Sequence, residues 1–205
     1  MRLFFFLLLC CFATTVNAFT ANINSGTRSA YLRVGDGSYS GGVFINGGTM
    51  GNNPTINTVS VSVPASQVGS GVAQTMTTDA TQSISHYDGY AFCNLPNQVY
   101  VAAFYRRQNQ GSTSGSLTVS TPAFLTNGSG GTIPINQISW TTSGNGDTGG
   151  QPFPSGTFTG GSQSLIASFT SNVWRESCHT FTYANSALRA AGVYTARATY
   201  TLAIP

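Results

Sequence analysis

Apolar side chains recur at every second residue along much of this chain, and clusters of Gly, Asn, Pro and Ser interrupt the runs. The alternation is clearest over Thr58–Pro64, where Val59, Val61 and Val63 alternate with Ser60 and Ser62, and over Val193–Ile204 near the C-terminus. In the second segment Tyr194, Ala196, Ala198, Tyr200, Leu202 and Ile204 share one face, while Thr195, Arg197, Thr199 and Thr201 share the other. A strand with one apolar and one polar face is half-buried, as in antiparallel sheets. The same reading predicts strands at Ala30–Val34, Val43–Asn46, Val72–Thr77, Gln98–Arg106, Ser116–Ser120, Ile135–Thr141, Gly156–Thr159, Ser164–Thr170 and His179–Tyr183. Loops are expected at Ser38–Gly42, Gly47–Pro54, Gln108–Gly115, Asn127–Gly131 and Ser143–Gly156, and only Asn185–Ala191 has the composition of a short helical turn. Roughly nine to eleven short strands predict an all-β fold, an antiparallel Ig-like, Greek-key β-sandwich with long Gly/Asn/Ser-rich loops.

The first eighteen residues stand apart from this pattern. Arg2 precedes an unbroken apolar run from Leu3 to Phe12, and Val16-Asn17-Ala18 has the small side chains of a cleavage site. That is the layout of a Sec-type signal peptide over 1–18, too short to span a bilayer, and no second apolar run reaches transmembrane length. Residues 19–29 then form an N-terminal extension and 30–205 a single domain, with two smaller sandwiches divided near Ser70–Ser83 as the alternative. Removal of the leader takes Cys10 and Cys11 with it and leaves Cys93 and Cys178. Two cysteines in an exported chain most simply form one disulfide, whose closed loop of about 86 residues is worth roughly 4.5 kcal/mol on the loop-entropy model. His86 and His179 are the remaining zinc-type donors, and their spacing from the cysteines matches no finger.

Charge narrows the function. Eight arginines, five acidic residues and no lysine leave neither a disordered charged tail nor a basic stripe to follow phosphates, so no nucleic-acid partner is expected. The chain lacks a Gly-x-Ser-x-Gly elbow, the nearest stretch being Gly111-Ser112-Thr113-Ser114-Gly115, and has neither a zincin nor a Walker motif. A glycosidase pair would have to come from Asp36, Asp79, Asp88, Asp147 and Glu176, two of which, Asp36 and Asp88, sit in Gly-rich turn chemistry. Asp147, in a Ser/Gly/Asn loop, is a single carboxylate where calcium wants several. His86-Tyr87-Asp88-Gly89-Tyr90 and Trp174-Arg175-Glu176-Ser177-Cys178-His179 flank the two cysteines, which brings two histidines toward one place. Trp140, Trp174 and nine tyrosines include candidates for stacking on sugars, although aromatic residues also fill cores. Asn127-Gly128-Ser129 is a formal glycosylation sequon. No enzyme activity and no cofactor or metal is expected from these motifs.

An exported, one-disulfide, Ser/Thr/Gly-rich β protein that ends in Gly192-Val193-Tyr194-Thr195-Ala196-Arg197-Ala198-Thr199-Tyr200-Thr201-Leu202-Ala203-Ile204 resembles bacterial pilins of the chaperone–usher class and their spore-coat-protein-U-like branch. The resemblance rests on that last strand, with glycine fourteenth from the end. It implies a fimbrial-like subunit in which Gly192, Tyr194, Ala196, Ala198, Tyr200, Leu202 and Ile204 pair with a periplasmic chaperone and border the groove that accepts the next subunit's N-terminal strand. The partners would then be like subunits, the role structural or adhesive, and the location the cell surface by way of the periplasm. The alternative is a secreted β-sandwich that binds a carbohydrate or other ligand, a glycan for example, as a monomer.

Overall fold

The computed structural model describes residues 21–24, 26, 28–40, 56–108, 113–145 and 150–204. The leader expected at 1–18, the strand at Val43–Asn46 and Asp147 lie outside the described residues. The chain is all-β, with antiparallel pairing throughout. In order the strands are β1 (Ala21–Asn22), β2 (Ser29–Val34), β3 (Gly37–Ser40), β4 (Val59–Ser60), β5 (Gln74–Thr75), β6 (Thr77–Thr78), β7 (Val99–Arg106) and β8 (Thr113–Thr121). They continue with β9 (Phe124–Thr126), β10 (Thr132–Pro134), β11 (Ile138–Ser143), β12 (Gly156–Thr157), β13 (Gly161–Thr170), β14 (Val173–Tyr183) and β15 (Thr199–Ala203). Among the described residues the only helical pieces are two 3-10 turns, Ala65–Gln67 and Ile135–Gln137.

The large sheet runs β12-β11-β14-β7-β2-β3, with β1 and β5 also paired to β14. A three-stranded sheet, β13-β8-β15, faces it, and β9–β10 and β4–β6 form two short ladders. The large sheet alternates side chains between two apolar clusters. Val99, Val101, Ala103 and Tyr105 of β7 point inward to a core they share with Leu117 and Val119 of β8 and with Leu165, Phe158 and Phe181. Tyr100, Ala102 and Phe104 point outward and pack with Trp174, Phe92, Ala21 and the cystine. Because β7 is buried on both faces, it reads as a continuous apolar run, Val99 to Tyr105. The disulfide joins Cys93 to Cys178 with Cα atoms 5.5 Å apart, within the usual span of such a bridge. It fixes the 83–93 loop to the outer face of β14.

Several elements differ from the sequence reading, each for a local reason. Asn185–Ala191 forms no helical turn. Asn185 adopts φ 52°, and its buried side chain accepts from the Gly69 N–H and donates to the Gln67 carbonyl, so the backbone turns away there. Ser38–Gly42 was expected as loop, but Gly37–Ser40 forms β3 across a tight turn at Gly35, whose φ is +60°. β14 begins at Val173, six residues before the segment expected at His179. Ile135–Gln137 turns before β11 starts. Over Val59–Val63 all three valines pack against the core, yet only Val59 and Ser60 find a ladder partner.

Candidate functional site

The C-terminal alternation is realised as a short edge strand. β15 pairs with β8 in the register Thr199↔Ser120 to Ala203↔Ser116, and among the described residues β8 is the only strand beside it. The strand is shorter than the Val193–Ile204 alternation suggests, because β8 ends at Thr121 and leaves residues before Thr199 nothing to pair with except an isolated bridge, Thr195 to Thr126. Gly192 lies outside the strand. A Cβ there would stand 2.9 Å from Asn127 Nδ2, so glycine lets the chain pass the Asn127 turn. Tyr194 is half-buried and donates its hydroxyl to the Ala190 carbonyl at 2.9 Å. Asn127, the sequon residue, has its Oδ1 engaged by the Ser129 and Gly131 N–H groups.

From Ala196 onward the apolar face lines a groove of about 670 Å³. One wall is β15 with its approach, through Ala196, Ala198, Tyr200, Leu202 and Ile204. The other is the inner face of the large sheet at its β2 side, with Ala30, Leu32, Val34, Val99 and Phe181, and the floor includes Met76, Ile135, Ile138 and Phe158. Asn57, Thr121, Arg197 and Thr199 supply the polar contacts, and no carboxylate, histidine or cysteine lines it. Tyr200, Leu202 and Ile204 are each half-buried, and Ala196 and Ala198 are exposed. Burial pushes the Tyr200 phenol above its ordinary pKa, so the hydroxyl stays neutral. The groove has the chemistry of an unfilled core and no reactive group.

The carboxylates and histidines fall elsewhere. Asp36 and Asp79 do come together, bridged by Asn57, whose Nδ2 donates to Asp36 at 2.9 Å and to Asp79 at 3.0 Å. Burial works to raise Asp36, but hydrogen bonds from Asn57, the Thr81 N–H and hydroxyl and the Gln82 N–H outweigh it and hold its carboxyl below the usual range. The Asn57 amide and the Thr58 N–H do the same for Asp79. Two carboxylates held ionised supply no general acid, so this pair is a clasp for the turn between β2 and β3. Asp88 caps its own turn, accepting from the Tyr90 N–H at 3.0 Å.

The two histidines lie on opposite faces of the large sheet. His86 is on the outer loop, its Nδ1 2.9 Å from the Tyr31 hydroxyl, and its backbone N–H donates to Tyr100. His179 points inward with zero exposure, against Phe153 and Phe181, and among the described residues neither ring nitrogen has a hydrogen-bond partner. Burial drives its pKa down to about 3. Adjacent residues of a strand face opposite ways, so Cys178 meets the outer cluster while His179 enters the core. Among the described residues no group of three or more His, Cys, Asp or Glu side chains is placed to hold a metal.

Comparisons with family models, curated proteins and solved structures return no match for this chain. The site must therefore be read from its own geometry. Glu176, one of the candidate carboxylates, has a setting the sequence did not reveal. It is buried on the outer face of β14, where its carboxylate accepts from the Ser85 hydroxyl at 2.7 Å and from the Tyr100 hydroxyl. Desolvation and that carboxylate push the Tyr100 phenol far up. Period two along Trp174, Glu176 and Cys178 was the available signal, since all three belong on one face.

Proposed function

We propose that this protein is an exported structural or adhesive surface subunit, pilin-like, whose groove accepts a strand from a neighbouring like subunit. The observation that carries this reading is the groove itself: a cleft of about 670 Å³ opening between the two sheets along the free edge of β15. An unpaired edge beside open apolar pockets is an association hazard unless something fills it. An added strand would hydrogen-bond to β15 and place alternate side chains among Leu32, Val34, Phe158 and Phe181, each large apolar insertion contributing about 1.5–3 kcal/mol. In this reading the two sheets form an Ig-like, Greek-key β-sandwich that lacks one strand, and a periplasmic chaperone covers the groove before assembly. The cystine suits an oxidising compartment on the way to the cell surface. The donor is the N-terminal extension, 19–29. In the isolated chain Ala21 and Asn22 pair with Trp174 and Val173 of β14, Ile23 donates to the Asn172 carbonyl and Ala21 packs in the outer cluster, so donation exchanges these contacts for those of the groove. Head-to-tail donation generates an open filament.

A second reading draws on the same observation, because the groove volume falls within the roughly 300–1,000 Å³ of small-molecule pockets. Size-exclusion chromatography with light scattering on the chain from Phe19, with unheated and boiled gels, separates the two. Strand exchange gives a heat-sensitive ladder or filament-sized species. A thermally stable monomer favours the ligand-binding module.

A further inference from the structure

The β15 wall of the groove is uneven. Tyr200, Leu202 and Ile204 make its later part bulky, whereas Ala196 and Ala198 each offer only a methyl group. Arg197 stands between those two alanines and is the only charged side chain among the described residues that line the groove. It is exposed, and among the described residues it makes no hydrogen bond or ion pair. Asp36 and Asp79, which Asn57 bridges, are taken up by that amide and by the Thr58, Thr81 and Gln82 N–H groups, and neither lines the groove. Burial keeps the Tyr200 hydroxyl neutral, so no second charge lies along the wall. From Ala196 to Ile204 the wall runs for roughly 26 Å, at about 3.3 Å per residue.

We infer that the groove of the unassembled chain binds a long-chain carboxylate, with the alkyl chain along Leu32, Val34, Phe181, Tyr200 and Leu202 and the carboxylate at Arg197. The inference rests on the ligand-binding reading of the groove and names the class of ligand. The lining decides that class. A sugar or nucleotide would carry many polar atoms into a cleft where Asn57, Thr121 and Thr199 are too few to satisfy them. An unbranched alkyl chain has no polar atom to desolvate and gains with every methylene removed from water. A plain hydrocarbon would leave the guanidinium unused, whereas a carboxylate matches its planar fork and its charge. The head group also belongs at this end on steric grounds, because Ala196 and Ala198 leave the wall low on both sides of Arg197. An alkyl chain and a donated strand need the same pockets, so each excludes the other.

Isothermal titration of the disulfide-bonded chain from Phe19 with dodecanoate, kept below its micelle-forming concentration, tests this. Octanoate probes the tail, dodecyltrimethylammonium the head, and a peptide of residues 19–29 the location. One dodecanoate should bind per chain. Octanoate should be at least tenfold weaker, since each buried methylene is worth about fourfold, and the cationic head should also cost at least tenfold. Arg197→Gln should weaken dodecanoate at least fivefold with the melting temperature of the free protein retained. Leu188→Ala, 79% exposed and outside the lining, should leave it unchanged. Dodecanoate binding with this pattern while the peptide fails to bind supports the inference and overturns the strand reading. Failure of dodecanoate while the peptide stabilises the fold overturns the inference and leaves the strand reading standing; failure of both overturns the two together, because the groove is then closed. Equal affinity for dodecyltrimethylammonium, parental affinity in Arg197→Gln, or peptide and dodecanoate bound side by side without competition also overturns the assignment.

Discussion

Leu117 and Leu202 are direct partners across the β8–β15 ladder, yet Leu117 has no exposed surface and Leu202 is only half-buried. The contrast extends to the two regions they represent. Around β7 and β14 both faces of the sheet are covered. The inner face is covered by the core and the outer by a loop tied down with a cystine and a buried carboxylate that receives two hydroxyls. Along β15 one edge and one apolar face are left half-open, although the residues there are as apolar as those of the core. The inward-facing side chains of the two regions are alike in being apolar, and the difference that opens one of them lies in the number of neighbouring strands. A closed region gains its stability from its own chain; an open one gains it when something else arrives.

The largest effect should follow from truncation on the closed side. Leu117→Ala leaves a cavity with no means of collapse and should cost about 3 kcal/mol, read by denaturant unfolding. A cost under about 1 kcal/mol would show that the core around β8 is as loose as the groove. Acid should probe the same closed region. His179 is neutral in the folded core with its pKa near 3, while in the unfolded chain it takes a proton near pH 6.5. Its depressed pKa therefore costs the fold nothing above about pH 7. Stability falls as pH drops below 6.5 and levels off near pH 3, by about 2–3 kcal/mol between pH 7.5 and 4.5. Asp36 and Asp79, also depressed, lose their contribution only lower, as pH falls below about 4. His179→Leu should remove most of the slope between pH 7.5 and 4.5, leaving the share of His86, whose pKa burial and Arg33 also lower; an unchanged slope would place the proton elsewhere. The smallest effect belongs to the open side, where Leu202→Ala should cost about 1 kcal/mol or less in the monomer and distinctly more once the groove is filled.

The sequence pattern showed which side chains face inward far better than it showed which strands have partners. Val59, Val61 and Val63 all reach the core as their alternation predicts, and so do Tyr194, Tyr200, Leu202 and Ile204, but a ladder needs a neighbour of matching length. β4 and β15 are short because β6 and β8 run out. The β14 strand was recognised only in its second half, since Arg175, Glu176 and Ser177 mask the alternation with polar residues, and the hydroxyls that bury Glu176, from Ser85 and Tyr100, lie far away in sequence. The candidate groove was legible on one wall alone, the terminal strand, because its other wall is assembled from β2, β7, β14 and the segments around Met76 and Phe158. The cystine was legible because only two cysteines follow the expected leader.

The most direct test of the open groove is to offer it a strand. A synthetic peptide of residues 19–29, Phe19 to Ser29, is titrated into the chain while melting temperature and amide hydrogen exchange over Thr199–Ala203 are followed. At a hundredfold excess over its dissociation constant the peptide should stabilise the fold by about 2.7 kcal/mol and slow exchange at β15, while a scrambled peptide does neither. An unchanged melting temperature with β15 amides already fully protected in the free monomer would contradict the account.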